Sequence, residues 1–123
     1  MSTNYYACPK NGIFPESGDF EVSIIKGRAG IHIAKRSYGY KPLFHGYSFI
    51  TSVKELERFI EQYDADIVDE YGDKYTTEQF NDEVINWGKE TKAISHEQIL
   101  RAAVEEDFFK DKDDNEFLSR DFS

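Results

Sequence analysis

The sequence predicts an α+β domain in which a small antiparallel sheet from the N-terminal half packs with about three helices, leaving room for a hairpin at the C-terminus. Three observations point there. The chain is 123 residues long, about one domain's worth, and no linker divides it. Alternating β-branched residues concentrate before residue 52, whereas capping patterns with apolar residues at three- and four-residue steps follow it. With 39% hydrophobic and 15% aromatic residues the chain can build a core, which separates it from disordered proteins despite 32% charged residues.

Residues 1–18 hold Pro9 and Pro15 with Asn11, Gly12 and Gly18 and show no periodicity, so they read as an irregular N-terminal arm. Phe20–Ile25 alternates apolar with polar and suits a strand. Lys26–Gly30 then supplies turn glycines, and Ile31–Ala34 reads as the partner strand of a hairpin. Lys35–Lys41 is basic, aromatic and glycine-containing, as in an exposed loop or irregular strand. Leu43–His45 and Tyr47–Thr51 follow as further strands around Gly46.

Ser52 and Glu55 form a capping-box pair, and Val53, Leu56, Phe59, Ile60 and Tyr63 recur on one stripe of the helix it opens. Ile67-Val68 with Asp69–Asp73 reads as a short strand and turn. A second helix opens at Thr76 or Thr77, carries Phe80, Val84 and Trp87, and stops at Gly88. Ser95 with Gln98 begins a third, bearing Ile99, Leu100, Ala103 and Val104. In the tail, Phe108-Phe109 and Phe117-Leu118 flank an acidic run, so a hairpin turning at Asp113–Asn115 competes with a fraying helix and a disordered end.

Charge is divided unevenly. Residues 1–50 carry six basic and three acidic residues, and residues 51–123 carry nine and twenty-one, which makes the net charge of -9 a property of the second half. A chain of this sign is repelled by a phosphate backbone except where a local basic face intervenes. No apolar run reaches the roughly 18 residues of a membrane span, and no basic-then-apolar leader opens the sequence, so a cytoplasmic location is expected. One cysteine, Cys8, cannot close an intrachain disulfide.

The segment His32–His45 concentrates the chemistry: His32, Lys35, Arg36, Ser37, Tyr40 and His45 could grip a phosphate-bearing ligand such as a nucleotide, with a guanidinium fork, point charges and a stacking ring. A solvated edge strand is the plainer alternative. His32 and His45 could also serve as acid and base on a phosphodiester, provided that they converge on one face beside Lys35. No spacing marks a catalytic residue, and no cofactor is expected. Zinc lacks paired Cys/His ligands. Asp111, Asp113 and Asn115 imitate the start of a calcium loop, but Glu116 stands where that loop needs glycine and Phe122 where it needs glutamate, so no metal is expected. The acidic half offers Asp69, Glu70, Asp73, Glu105, Glu106 and Asp107 as a surface for a basic partner, or as solubilising charge.

Ile31–Ser37, Tyr38–Tyr40, Leu43–His45, Ile67–Gly72 with Thr76–Glu78, and the closing Asp114–Phe117 and Asp121–Ser123 resemble a loose group of small phage-encoded proteins, marked by a His-Ile-Gly-Lys-Ser-like strand and an Asp-Glu-Tyr-Gly turn. Members with a cysteine pair ahead of the first strand suggest zinc, and only Cys8 matches here. The resemblance implies a phage or prophage accessory protein, with His32, Lys35, Ser37, Tyr40 and His45 as the positions of any shared site. The expected function is therefore non-enzymatic: binding and inhibiting a host protein with a basic surface, such as a defence or nucleic-acid enzyme. The alternatives are a nucleotide or phosphate-ligand module and a phosphodiester-acting enzyme.

Overall fold

Eight strands join into one mixed sheet in the computed structural model, which describes residues 2–16, 20–87, 93–96, 107–119 and 122. They are β1 (Ser2–Pro9), β2 (Ser23–Ile25), β3 (Arg28–Ser37), β4 (Leu43–His45), β5 (Ala65–Asp69), β6 (Lys74–Tyr75), β7 (Phe108–Lys110) and β8 (Glu116–Leu118). The order is β6-β5-β1-β3-β4-β8-β7, with β2 paired onto β3. All pairings are antiparallel except that of β4 with β8. This corrects the expected small N-terminal antiparallel sheet with about three helices. Half of the strands come from the second half of the chain, and the described residues hold two helical stretches: α1 (Val53–Gln62), and α2 (Thr77–Phe80) continuing in π-helical turns over Asn81–Asn86. Of the third helix predicted to open at Ser95, everything past His96, with Gln98 and Ile99 to Val104, lies outside the described residues, as does the Gly88 stop.

The correction has a local cause at each end. Residues 2–9, expected within an irregular arm, form β1, hydrogen-bonded on both sides to β3 and β5. Tyr5 and Ala7 are buried on one face, while Asn4 and Cys8 are buried on the other, so the apolar-polar alternation that signals a half-exposed strand never develops. β5 to β8 run two to five residues each, too short to show a period. At the other end, Phe108–Lys110 and Glu116–Leu118 form a hairpin whose turn is organised by the Asp111 carboxylate, which accepts the N–H groups of Asp113 (3.0 Å) and Asn115 (2.9 Å).

Turn chemistry sets the first hairpin. Lys26 and Gly27 both have positive φ (51° and 81°), the type I′ requirement for a two-residue loop, so Arg28–Gly30 belong to β3 and not to the turn. Tyr47 and Ile50 exchange backbone hydrogen bonds in a tight reversal where a strand over 47–51 was expected. Ser52 caps α1 by accepting from the Glu55 N–H (3.1 Å). The reciprocal arm lands one residue earlier than a capping box places it, on the Thr51 N–H (2.8 Å). Asp111 Oδ2 accepts the Val53 N–H at 3.0 Å, tying the C-terminal hairpin to this helix end.

Tyr5, Ile31, Ile33, Phe44, Phe117 and the buried stripe Val53, Leu56, Phe59 and Ile60 of α1 form the main core on one sheet face, joined by Phe80 and Val84. A smaller cluster of Leu43 and Leu118, with Phe108 and Phe122, occupies the opposite face. Among the described residues no helix is long and apolar enough to cross a membrane.

Candidate functional site

A bulge in β3 decides which side chains share a face. Tyr5 pairs with Ala34 but Tyr6 with His32, so Ile33 is the extra residue; Ile33 and Ala34 both join the main core, and Lys35 falls on the face of His32. Leu43, paired with Lys35, and His45 extend that face through β4. His32 and His45 therefore do converge, with ring centroids 5.7 Å apart.

Both imidazoles are packed. They are 9% and 5% exposed, Phe122 lies 4.8 Å from His32 and 5.4 Å from His45, and Tyr47 stacks on His45 at 4.2 Å. The Nε2–H of His32 donates to Asn4 Oδ1 (3.0 Å), and the Nδ1–H of His45 donates to the Gly46 carbonyl (3.1 Å). The Tyr47 hydroxyl donates to the His32 carbonyl at 2.6 Å. A general acid or base must reach its substrate directly or through one water, and here aromatic rings occupy that approach. The pair acts as a hydrogen-bonded aromatic seam between β3, β4 and the chain end.

The remaining members of the basic segment go elsewhere. Arg36, on the opposite face from Lys35, donates to the Glu83 carbonyl (3.0 Å) and lies 5.9 Å over the Trp87 ring. Ser37 ends β3, opposite Ser2. Tyr40 stacks on His96 at 5.5 Å, and Lys41 pairs with Asp114 at 3.1 Å. The structure thus brings His32, Lys35 and His45 onto one face and separates Arg36 and Tyr40 from them, so the six do not line a common cavity.

Sequence inspection missed Glu116. Only 1% exposed, it accepts from the Ser95 hydroxyl and from the His96 N–H (2.8 Å), and with the Ile94 N–H to Gly39 carbonyl bond (2.8 Å) it docks residues 93–96 onto the sheet. The His96 Nε2–H donates to the Lys41 carbonyl at 2.8 Å. Burial holds this imidazole below its ordinary value, against the upward pull of that carbonyl and of Glu116. Only the apolar pair that follows Glu116 in sequence hinted at a buried strand.

The acidic set also divides. Asp69, expected on a partner surface, is 4% exposed: Oδ1 accepts the N–H groups of Tyr71 (2.9 Å) and Asp73 (3.0 Å), and Oδ2 accepts the Tyr75 hydroxyl (2.9 Å). Short acids favour such turns because the carboxylate reaches backbone N–H groups two and four residues on. Glu70 and Asp73 remain exposed, and between them stands Tyr71, 63% exposed. At Gly72 (φ 88°) an added Cβ would lie 2.5 Å from Lys26 Cγ, so the β2–β3 turn abuts this one; β2 itself presents Ile24 at 68% exposure. In the sequence Tyr71 reads only as part of the Asp-Glu-Tyr-Gly turn and Ile24 only as part of a strand, because the exposure of a single side chain leaves no mark on the sequence pattern. Asp107 is half-buried, its carbonyl accepting the Ser119 N–H (2.8 Å), and Glu105 and Glu106 lie outside the described residues.

Among the described residues no three His, Cys, Asp or Glu side chains gather as metal ligands. The oxygens of Asp111, in the calcium-like stretch, take hydrogen bonds from three backbone N–H groups and the Asn115 amide. Comparison with protein-family models, with curated proteins and with solved structures returned no match.

Proposed function

We propose that this chain is a small phage-type accessory protein that binds and inhibits a host protein with a basic surface, acting in the host cytoplasm without catalysis. One observation carries the choice of surface: Tyr71 stands exposed between Glu70 and Asp73 on a turn held by three hydrogen bonds to buried Asp69. A rigid aromatic ring within an acidic rim has the composition of an interface anchor, since tyrosine offers large contact area with little conformational entropy to lose. Exposed Ile24 on the adjoining hairpin enlarges the apolar part. The acidic rim would steer a basic partner and make association salt-dependent.

The test is retention of host proteins on the immobilised chain at low and moderate salt, followed by binding kinetics with the protein retained. Tyr71→Ala should accelerate dissociation, weakening binding by about 2 kcal/mol, as hot-spot truncations do. Glu70→Lys with Asp73→Lys should slow association and flatten the salt dependence. Retention of nothing at either salt, or a partner whose binding ignores both variants, would refute the proposal.

A further inference from the structure

Two cavities meet along the exposed side of α1, away from the Tyr71 turn. One, of about 340 Å3, is walled by Pro15, Phe49, Phe59 and Tyr63. The other, of about 500 Å3, is walled by Lys54, Lys110 and Lys112 beside the hydroxyl residues Thr51 and Ser52. Arg58 and Glu55 line both, so the two are halves of one groove. Its aromatic half is preformed: Phe49 packs between Tyr47 (5.3 Å) and Phe59 (5.6 Å), and Phe59 against Tyr63 (4.9 Å).

The electrostatics of the other half run against the rest of the molecule. In a chain of net charge -9, four cationic side chains surround one cavity. No hydrogen bond or salt bridge engages Lys54, Arg58 or Lys112 among the described residues. Three acids share the wall: Glu55 Oε1 accepts from the Thr51 N–H and hydroxyl, Asp111 accepts from Val53, Asp113 and Asn115, and Asp113 is exposed beside Lys112. Four cations against three acids give this cavity a positive balance in an acidic chain. While Lys110 pairs with Asp114 and Arg58 lies in the field of Glu55, the exposed Lys54, Arg58 and Lys112 can still take up anionic oxygen. The α1 periodicity explains the juxtaposition, since Lys54 and Arg58 are one turn apart and Arg58 adjoins Phe59.

We infer that this groove is a binding site for a nucleoside di- or triphosphate, its base lodged against Phe49 and Tyr63 and its phosphates held by Lys54, Arg58 and Lys112. An aromatic wall meets a base, a fork of N–H donors and ammonium groups meets phosphate, and Arg58 at the junction spans the two. The combined size suits a compact ligand of this class. A long nucleic-acid strand would carry its charge past the groove and onto the acidic surface, so the free nucleotide is the favoured source of this chemistry. The site shares no residue with the basic segment at 32–45 or with the Tyr71 turn, so its success or failure is separate from that of partner binding.

The experiment titrates the full chain with ATP, ADP, adenosine, tripolyphosphate and a short single-stranded oligonucleotide, reading calorimetric heat and backbone amide shifts. ATP and ADP should saturate, should bind more tightly than adenosine or tripolyphosphate, and should shift amides of residues 49–63 and 110–113. Arg58→Ala, and Lys54→Ala with Lys112→Ala, should each weaken ATP by about tenfold, the loss of one charge-assisted contact or more. All three side chains lie on the surface, and unchanged melting of the unliganded variants will verify their folding. No saturation by ATP or ADP, shifts centred on residues 32–45, variants that bind as the wild type, or tighter binding of the oligonucleotide than of ATP would each overturn the inference.

Discussion

Replacing Asp69 by alanine removes one carboxylate and orphans three donors. The Tyr71 and Asp73 N–H groups sit in an exposed turn where water replaces part of each bond, so each is worth about 0.5 kcal/mol; the half-buried Tyr75 hydroxyl is worth about 1.5 kcal/mol, giving a loss of about 2.5 kcal/mol. For a chain of this length that lowers the melting temperature by about 10 °C. Asp69→Asn keeps an acceptor for the two backbone donors but not for the Tyr75 hydroxyl, and should lose about 1.5 kcal/mol. Urea unfolding followed by circular dichroism measures both. Tyrosinate absorbance supplies an independent check: burial, then the hydrogen bond and charge of Asp69, push the Tyr75 hydroxyl above its ordinary value, so its titration should move down in the alanine variant. Tyr71→Ala should leave stability near wild type while weakening partner binding. A loss below about 1 kcal/mol for Asp69→Ala, or equal losses for alanine and asparagine with Tyr75 unmoved, would refute the account of the turn.

Gly30→Ala should destabilise by about 2 kcal/mol through overpacking, because a Cβ there would lie 2.5 Å from Cys8 Sγ and 3.1 Å from the Ala7 carbonyl oxygen. Adding Cys8→Ala should recover about half of that loss; strict additivity in the double-mutant cycle would show that the sulfur is not the obstacle. Burial holds His96 below its ordinary value of 6.5, so the unfolded chain takes up that proton first as pH falls. The His96 contribution is thus fully present above pH 6.5 and declines below it. His96→Gln, which keeps a donor for the Lys41 carbonyl, should flatten the fall in melting temperature between about pH 7 and pH 5, and unchanged slopes would refute the assignment.

Legibility followed how local the determining interaction was. The Ser52 cap, the buried stripe of α1 and the opening of the second helix at Thr76 involve neighbours within four residues, and all three are legible in the sequence. β1 is not, because its hydrogen-bonding partners lie about 30 and 60 residues away and both of its faces are buried. The candidate sites follow the same division. His32, Lys35, Arg36 and His45 stand out as residue types, yet a one-residue bulge at Ile33 puts Lys35 on the face of His32 and Arg36 on the other, and rings from Tyr47 and Phe122 close over the histidines. The nucleotide groove was illegible because its cations come from α1 and from the β7–β8 turn, more than 50 residues apart.

By itself the sequence determined the acidic charge and its bias to the second half, the absence of an intrachain disulfide, the capped first helix and the turn-forming Asp69–Asp73 stretch. These depend on composition and on contacts along the chain. The tertiary structure alone decided the eight-stranded mixed sheet, the parallel joining of β4 to β8, the burial of Asp69 and Glu116, and the groove beside α1. Glu116 is buried only because the Ser95 hydroxyl and the His96 N–H, distant in sequence, are brought to meet it, Asp69 because the strand it ends lies between β1 and β6, and two cation-bearing elements share a cavity only once the sheet has set them side by side.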